Sequence, residues 1–309
     1  MPELQVAERR WSVTAGSNLL DALNAEGFAV PYSCRAGSCH ACLVRCLQGQ
    51  PGDAKPEALS ADKRAEGWRL ACQCRVEEDL RVAVFDPVQD GTPAEVVALD
   101  WLGGEVLRLR LQPQRALRYQ AGQHLVLWSA EGVARPYSLA SVPQEERFLE
   151  FHLDCRHSGA FCDAARRLKL GDTLRLGELR GGALHYDPDW QERPLWLLAA
   201  GTGLAPLWGI LREALRQEHH GGIRLLHVSR EHYLADELRV LASKHPTLQV
   251  EWVTPLELAP ALAALRLQSR QTVALACGAP ASVEQFARRL FLAGLPRNQL
   301  YADVFVGHA

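Results

Sequence analysis

Four cysteines near the N-terminus constrain this chain more than any other feature of its sequence. Cys34, Cys39 and Cys42 lie in one short segment, and Cys72 follows after 29 intervening residues. The spacing, C-x4-C-x2-C followed by one distant cysteine, is that of a plant-type [2Fe–2S] site. Gly37, inside the first segment, allows the tight loop that must wrap two irons and two bridging sulfides. We therefore predict that three ligands come from this loop and that Cys72 closes the cage.

Zinc and disulfide bonds are the alternatives for a set of four cysteines. Zinc sites with four cysteines usually combine two C-x2–4-C pairs, whereas the distal end here offers only Cys72-x-Cys74. Disulfide frameworks are typical of secreted chains, and the first residues show no basic region followed by an apolar one. The iron–sulfur interpretation is favoured, and nine cysteines with such an N-terminus predict a cytoplasmic protein. Cys46 and Cys74 fall outside the ligand positions, and we predict that they pack as ordinary strand residues.

Composition excludes several other classes of protein. A chain of 309 residues with 48% hydrophobic content can form two or three globular domains. The net charge of -2 gives no support for binding nucleic acid or an anionic membrane. Residues 195–211 form an apolar run of 17 residues, the lower limit for a membrane span. Glycines and Pro206 interrupt the run, so a buried strand, a glycine turn and a new helix explain it better.

The pattern divides the chain into residues 1–88, 92–190 and 191–309. In the first part, Ser17 is a plausible N-cap for a helix that Gly27 ends. The inner face of that helix and the flanking short strands are predicted from their apolar residues: Leu19, Leu20 and Leu23 for the helix, and 4–6, 11–13, 42–47 and 80–85 for the strands. The second part is rich in strands with short turns, as in the alternating segment 107–111, and this predicts an antiparallel β-barrel.

The third part alternates apolar strands with helices and predicts a doubly wound parallel sheet. Its strands are expected at 195–200, 223–228, 248–253 and 272–277, with helices after Pro206 and at 234–242 and 282–293. Gly201, Thr202 and Gly203 follow the first of these strands and precede a helix. A strand, a glycine turn and a helix N-terminus together form a cradle for phosphate.

A second chemical signal lies in the middle part, at Arg135-Pro136-Tyr137-Ser138. A guanidinium can hold a pyrophosphate, an aromatic ring can stack on a flavin, and a hydroxyl can reach a ring nitrogen. An ordinary strand end is the alternative for so short a segment.

These motifs together resemble known families. Residues 31–42 with Leu70-Ala71-Cys72 resemble a plant-type ferredoxin domain, which implies a β-grasp fold. Arg135-x-Tyr137-Ser138, residues 159–162 and Gly171-Asp172 resemble the flavin domain of the ferredoxin–NADP reductase superfamily. With the glycine turn at 201–203, residues 277–280 and the ending 303–305, the whole chain resembles the fused reductase components of bacterial oxygenases.

The resemblance implies roles for particular residues. Cys34 and Cys39 would hold the outer iron, and Cys42 and Cys72 the inner one. FAD would be held by two sets of residues. The middle motif would supply the side chains of Arg135, Tyr137 and Ser138, and the start of a helix would supply the backbone amides of Gly159, Ala160, Phe161 and Cys162. Cys162 stands where serine or threonine is usual, and the family's Gly-Pro-x-Gly turn is replaced by Gly177-Glu-Leu-Arg-Gly181.

The resemblance also implies a nicotinamide site. The turn of Gly201, Thr202 and Gly203 would hold the NAD(P) pyrophosphate, and Cys277 with Gly278 would lie beside the nicotinamide. Phe305 would lie near the flavin face opposite Tyr137, and Asp303 stands where the family usually has glutamate. Ser229 and Arg230 follow the strand 223–228, where a cation accommodates the 2′-phosphate of NADPH and an acidic residue binds the 2′-hydroxyl of NADH. The Ser-Arg pair favours NADPH slightly, with activity expected for both coenzymes.

Electron counting gives the expected function. A nicotinamide gives two electrons as a hydride, a [2Fe–2S] cluster takes one at a time, and a flavin can do both. We therefore expect an NAD(P)H:acceptor oxidoreductase that passes electrons through FAD and the cluster to a protein acceptor: an oxygenase, a ferredoxin or a haem protein. The alternatives are a redox sensor without sustained turnover and an electron carrier with a degenerate C-terminal half.

His219, His220 and His245 are expected on the solvated surface, and His40 is expected to face solvent.

Overall fold

The computed structural model describes residues 1–32, 34–37, 39–181 and 183–306. The chain divides into two compact units. The first comprises residues 1–92 with 126–136 and 175–180, and the second comprises 93–125, 137–174 and the chain from 181 onward. None of the helices in the described ranges has the length and apolar character that a membrane span requires.

The strands and helices of the first 92 residues alternate in short elements: β1 (Glu3–Val6), β2 (Arg9–Ser12), β3 (Ser17–Asn18), α1 (Leu19–Ala25), β4 (Leu43–Gln48), β5 (Gly52–Asp53), α2 (Ala61–Ala65), β6 (Trp68–Leu70), β7 (Cys74–Val76) and β8 (Leu80–Ala83). The middle of the chain is mostly strand: β9 (Thr92–Leu102), β10 (Val106–Pro113), β11 (His124–Trp128), β12 (Ala134–Ser138), β13 (Leu149–Asp154), α3 (Ala160–Ala165) and β14 (Thr173–Arg180). The remainder alternates strictly: β15 (Leu195–Ala200), α4 (Leu204–Arg216), β16 (Ile223–Val228), α5 (Ala235–Lys244), β17 (Leu248–Val253), α6 (Leu258–Ala264), β18 (Val273–Gly278), α7 (Pro280–Leu292) and β19 (Leu300–Val304).

The N-terminal part of the first unit is a β-grasp fold, as predicted. Five strands form a mixed sheet in the order β2-β1-β8-β4-β6. In this sheet β1 pairs in parallel with β8 and antiparallel with β2. The leucines of α1 at positions 19, 20 and 23 are fully buried in the core below the sheet. Amphipathic spacing in α1 therefore provides the apolar face that covers the sheet.

The second unit contains the antiparallel strands expected of the flavin domain. β10 pairs antiparallel with β9 on one side and with β13 on the other. Leu107, Leu109 and Leu111 of β10 are buried, so the alternating pattern of the sequence corresponds to one core-facing side of this strand.

A five-stranded parallel sheet with helices on both faces completes the second unit. Its strand order is β17-β16-β15-β18-β19, and all neighbouring strands are parallel. Leu195 and Leu197 of β15 pack with α4 and α5, whereas Trp196 and Leu198 of the same strand pack with α6 and α7. This alternation buries both faces of the strand and confirms the doubly wound sheet.

Three expectations from the sequence are wrong in detail. The N-cap of α1 is Asn18 and not Ser17, because the Asn18 side chain accepts a hydrogen bond from the Asp21 amide at 3.3 Å, whereas Ser17 lies one residue further from the helix. His219 is buried, at 5% exposed, because its ring turns inward at the end of α4 and its Nδ1 lies 3.0 Å from the hydroxyl of Tyr186. His40 is half-buried and does not simply face solvent.

Candidate functional site

Strand pairing in the first unit brings the distant cysteine to the cysteine loop. Cys42 directly precedes β4, and Cys72 follows β6 in a short turn. β4 and β6 are antiparallel with Leu43 opposite Leu70, and the amide of Ala71 donates to the Cys42 carbonyl at 3.0 Å. The two cysteines therefore lie at neighbouring ends of paired strands.

The four thiols are arranged as two pairs. The Cys39 thiol donates a hydrogen bond to the Cys34 sulfur, which is the main reason that the pKa of Cys39 is raised. The Cys42 thiol donates in the same way to Cys72, and this raises the pKa of Cys42. Among the described residues, no three His, Cys, Asp or Glu side chains converge on a point that one metal ion could occupy. Two pairs of thiols form the donor set that a two-iron cluster requires, since each iron takes two thiolates.

Further hydrogen bonds point at the sulfurs of both pairs. The amides of Ala36 and Cys39 each lie 3.3 Å from the Cys34 Sγ, and the side-chain amide of Gln73 lies 3.2 Å from the Cys72 Sγ. The backbone of Gly37 also hydrogen-bonds Cys72. Such donors stabilise negative charge on sulfur, which is the state of a thiolate ligand.

The loop reaches this geometry through an unusual backbone. Arg35, Gly37 and His40 have positive φ values of 48°, 83° and 52°. Glycine adopts this conformation with the least strain, and a Cβ at Gly37 would lie at an ordinary contact distance of 3.4 Å from the Gln73 side chain. The backbone conformation, rather than a lack of space, therefore favours the glycine predicted for the loop. These contacts fit a [2Fe–2S] cluster.

Cys46 and Cys74 belong to the protein core, as predicted. Cys74 is fully buried in β7, and Cys46 of β4 packs against the same core. Burial raises the pKa of Cys46 to about 11 and raises that of Cys74 further. Both thiols stay protonated at neutral pH, which suits an apolar packing role.

The aromatic residues of the predicted flavin site lie together in the second unit. The rings of Tyr137 and Phe161 are 5.1 Å apart between centroids and tilted by 48°. Ser138, at the end of β12, is buried. Gly159 and Ala160 lie at the start of α3, with Gly159 as an extended N-cap residue. The structure therefore joins the end of β12 to the first turn of α3 through one aromatic contact.

Arg135 and Cys162, the remaining residues of the predicted flavin site, donate hydrogen bonds to backbone carbonyls. The Arg135 guanidinium donates to the carbonyl of Ala134 at 2.7 Å. The Cys162 thiol donates to the carbonyl of Asp154 at 3.2 Å. A thiol at this position thus bonds to the end of β13, which explains how cysteine is accommodated where the resemblance suggests a hydroxyl.

The glycine turn lies where the order of the parallel sheet reverses. β15 is flanked by β16 on one side and β18 on the other, so the chain runs outward from β15 in both directions. Ligands bind at such a point, beyond the carboxyl ends of the strands. The turn of Gly201, Thr202 and Gly203 follows β15, and a Cβ at Gly203 would lie only 2.2 Å from the carbonyl oxygen of Cys277. Glycine is therefore required for the turn to pack against β18.

The residues predicted near the nicotinamide gather at the end of β18. Cys277 pairs with Asp303 across β18 and β19, and the amide of Phe305 donates to the carbonyl of Gly278 at 2.8 Å. Cys277 is fully buried, and burial raises the pKa of its thiol. The structure thus brings Cys277, Gly278, Asp303 and Phe305 to one edge of the sheet, close to the glycine turn.

The predicted coenzyme-selecting residues differ in their surroundings. Ser229 is buried at the end of β16, and its hydroxyl donates to the carbonyl of Glu231 at 2.6 Å. Arg230 and Glu231 are exposed. The serine hydroxyl therefore shapes this loop, and the exposed arginine and glutamate are the charges that a ribose substituent can meet.

Two residues beside the glycine turn were not predicted from the sequence. The His227 Nε2 lies 3.1 Å from the carbonyl of Gly201, and burial lowers the pKa of this histidine to about 4. The neutral ring therefore carries its proton on Nε2 and donates it to that carbonyl. Arg156, held by Asp154, places its Nη2 3.7 Å from the point where a Cβ of Gly201 would stand. Both contacts join segments that are distant in sequence, so no local pattern signals them.

Comparison with known families gives three matches along the chain. Residues 4–77 match a 2Fe-2S iron-sulfur cluster binding domain. Residues 103–184 match an oxidoreductase FAD-binding domain, and residues 197–262 match an oxidoreductase NAD-binding domain.

Similar proteins match most of the length of the chain. Terephthalate 1,2-dioxygenase reductase component 2 of Comamonas sp is 30% identical, with 94% of this chain and 92% of that protein covered. The ferredoxin–NAD(P)+ reductase component of the naphthalene 1,2-dioxygenase system of Pseudomonas putida is 28% identical, with 94% of each covered. Among solved structures, a cytochrome P450 reductase of Amycolatopsis superimposes with a TM-score of 0.66 at 26% identity, covering 99% of both chains.

Proposed function

Since the chain belongs to the family of fused iron–sulfur flavoprotein reductases, we propose that it is the reductase component of an oxygenase system. It is an NAD(P)H-dependent oxidoreductase with [2Fe–2S], FAD and NAD(P) domains. When bound, the nicotinamide supplies a hydride, FAD converts it into single electrons, and the cluster passes these on. The acceptor that we propose is an oxygenase component, with a separate ferredoxin or a haem protein as the other possibilities.

Cys34, Cys39, Cys42 and Cys72 are the proposed cluster ligands. The observation that carries the proposal is the arrangement of the four cysteines in two pairs: the pairing of β4 with β6 brings Cys42 to Cys72, and the Cys39 amide lies 3.3 Å from the Cys34 Sγ. We assign Cys34 and Cys39 to one iron, and Cys42 and Cys72 to the other. The amide hydrogen bonds to Cys34 and Cys72 compensate the negative charge that four thiolates bring into a half-buried loop.

We assign flavin binding to the end of β12 and the start of α3. Tyr137, supported by Phe161, offers an aromatic surface for the ring system. Arg135 supplies a guanidinium for the pyrophosphate, and Ser138 a hydroxyl. The amides of residues 159–162 complete the site because they point outward from the first turn of a helix.

We assign coenzyme binding to the turn of Gly201, Thr202 and Gly203. The backbone there is held by His227, and Arg156 adds a positive charge beside it. Hydride transfer requires alignment and no proton donor, so the residues at the sheet edge act by position: Cys277, Gly278, Asp303 and Phe305. Ser229 and Arg230 are assigned to the ribose end of the coenzyme, with a slight preference for NADPH because Arg230 offers a fork suited to phosphate.

The proposed domains are residues 1–88, 92–190 and 191–309. Each of the three family matches lies inside one of these ranges, which supports the boundaries. We also propose a cytoplasmic location, because nine free thiols and a supply of NAD(P)H suit a reducing compartment.

Replacing one ligand cysteine tests the proposed route. Cys72→Ser is expected to lose the visible absorption and the electron paramagnetic resonance signal of the cluster, because a thiolate ligand is lost. Ferricyanide reduction by NAD(P)H is expected to survive, and cytochrome c reduction is expected to collapse. Cys46→Ser is the matched control, since Cys46 is a half-buried cysteine of the same unit.

Loss of the cluster in Cys46→Ser, with retention in Cys72→Ser, would overturn the ligand assignment. The same assay addresses the alternative of a redox sensor. Sustained turnover of NAD(P)H with ferricyanide supports a reductase, whereas a single turnover per protein would support the sensor.

A further inference from the structure

A buried cation lies at the end of β14, in the first unit. The side chain of Arg180, the last residue of this strand, is 8% exposed, and its guanidinium forms an ion pair with the Glu178 carboxylate at 2.5 Å. Within the described part of the chain, the Nε of Arg180 has no hydrogen-bond partner. A buried charge needs compensation for its lost hydration. Glu178 is 38% exposed and offers only part of it, so a second negative charge is expected nearby.

Packing within the first unit brings β14 to the cysteine loop. β14 is the neighbour of β11 in the sheet, and a Cβ at Gly177 would lie 3.2 Å from the carbonyl oxygen of Val126. Val126 and Trp128 of β11 form a buried apolar cluster with Ala41 of the loop. The side chain of Cys39, one of the four proposed cluster ligands, packs against this cluster. β11 therefore holds β14 close to the loop that carries three of these ligands.

A small cavity within the first unit joins Arg180 to the surroundings of a proposed ligand. Its lining includes Ala41 and Leu43, the two sequence neighbours of Cys42. Glu178 and Arg180 of β14 line the same cavity. Burial lowers the pKa of Arg180, whereas the negative charges of Glu178 and Cys42 raise it, which agrees with this placement. The second negative charge near the buried guanidinium is therefore that of the proposed cluster site.

We propose that Arg180 raises the reduction potential of the [2Fe–2S] cluster, an inference that rests on the proposed function because it requires the cluster at the four cysteines. Reduction by one electron adds one negative charge at the cluster site, and no bond forms or breaks. A nearby cation stabilises the reduced state more than the oxidised one. Water screens a buried guanidinium only weakly, so its charge acts strongly over short distances. Net charge and solvent exposure are among the properties that set the potentials of such clusters.

Glu178 gives a second expectation of opposite sign. Its carboxylate lies 2.5 Å from the Arg180 guanidinium and 3.7 Å from the Nζ of Lys63, so it offsets part of the positive charge beside the cavity. Replacement of Glu178 by glutamine should leave that positive charge uncompensated and raise the reduction potential. The effect should be smaller than that of removing the Arg180 charge, because Glu178 is 38% exposed and water screens it.

A redox titration of the intact holoprotein, followed by the electron paramagnetic resonance signal of the reduced cluster, tests the proposal. Arg180→Gln should lower the equilibrium constant for cluster reduction by on the order of tenfold, which equals about 59 mV for one electron. Arg180→Lys keeps the charge, and its potential should stay near that of the wild type. Arg175→Gln is the matched control, because Arg175 belongs to the same strand and lies outside the residues that line the cavity.

Several results would overturn the proposal. One is an equal fall of the potential in Arg180→Gln and Arg180→Lys, because side-chain shape and not charge would then be responsible. Another is a shift in Arg180→Gln no larger than that in Arg175→Gln. If Arg180→Gln binds no cluster, Glu178→Gln decides: a raised potential supports the proposal, and an unchanged or lowered one overturns it. Wild-type protein without the cluster signal would refute the proposed function and this inference with it, whereas a normal signal with an unmoved potential refutes only the role of Arg180.

Discussion

A buried charge network on β13 allows the stability of the second unit to be predicted. The side chain of Glu150 is 2% exposed and accepts from Arg110 Nε at 2.7 Å. Its other oxygen lies 3.1 Å from His152 Nε2, and burial lowers the pKa of His152, so the neutral ring donates this bond. Replacement of Glu150 by glutamine keeps the size of the side chain and removes its charge.

The pKa of Glu150 gives the expected magnitude. Burial alone would raise this pKa, but the hydrogen bonds from His152 and Arg110 outweigh it and lower the value from 4.5 to about 2. With about 1.36 kcal/mol per pKa unit, the difference corresponds to at most roughly 3 kcal/mol of folding free energy, because the charge of His152 contributes to it only where that ring is protonated. Breaking a buried pair costs about 3–5 kcal/mol in other proteins, which agrees. Because the folded pKa lies below the unfolded one, this stabilisation is present above pH 4.5 and is lost as the pH falls towards 2.

Urea unfolding at pH 7, followed by tryptophan fluorescence, measures the effect. With a slope of about 3 kcal/mol per molar urea, Glu150→Gln should lower the midpoint by roughly 1 M. Glu95→Gln is the matched control, because Glu95 is exposed on β9 and a surface change is expected to stay within about 0.5 kcal/mol. The difference between wild type and Glu150→Gln should shrink below pH 4.5. Equal midpoints for both variants at pH 7 would refute the reasoning.

Three further predictions concern the proposed cofactor sites. Arg135→Ala combined with Tyr137→Ala should yield protein that keeps its iron and loses FAD, measured by metal analysis and flavin absorbance; full flavin occupancy contradicts the assignment. Arg230→Ala should lower kcat/KM for NADPH selectively, and equal losses with NADH and NADPH would mean that the arginine has a structural role. Gly203→Ala should reduce kcat/KM for either coenzyme by on the order of tenfold or more, because the new Cβ collides with the Cys277 carbonyl and displaces the turn. Unchanged ferricyanide reduction in Gly203→Ala would show that the turn does not hold the coenzyme.

The parallel sheet could be predicted closely because its strands are buried on both faces. The predicted segments 195–200, 223–228 and 248–253 match β15, β16 and β17 residue for residue. Continuous apolar runs of this kind have few competing interpretations. α6 was missed because it is short and contains Pro260, and its stability comes from packing of Leu258 and Leu262 against the sheet.

Some features of the candidate site could likewise be predicted from local sequence, whereas others depend on contacts between segments that are distant in the chain. The cysteine spacing could be read from the sequence because loop geometry demands those residues at those positions. The hydrogen bond from His227 to Gly201 and the approach of Arg156 depend on tertiary packing. His219 was misplaced for a related reason: a histidine at a helix end looks solvated until Tyr186 is found beside it.

The glycine turn after β15 is required for packing and is also the proposed coenzyme-binding site. The close approach of Gly203 to the Cys277 carbonyl is a packing requirement, since a Cβ there would collide with the end of β18 and displace the turn. The same turn follows the carboxyl end of β15 and leads into α4, and the amides at such a helix start are the groups that we propose to meet the anionic coenzyme. The amide of Phe305 bonds to Gly278 at that edge, so the chain end is held by the strand that the turn packs against. Packing and the proposed coenzyme binding therefore depend on one backbone arrangement, and we expect a substitution that disturbs the first to disturb the second.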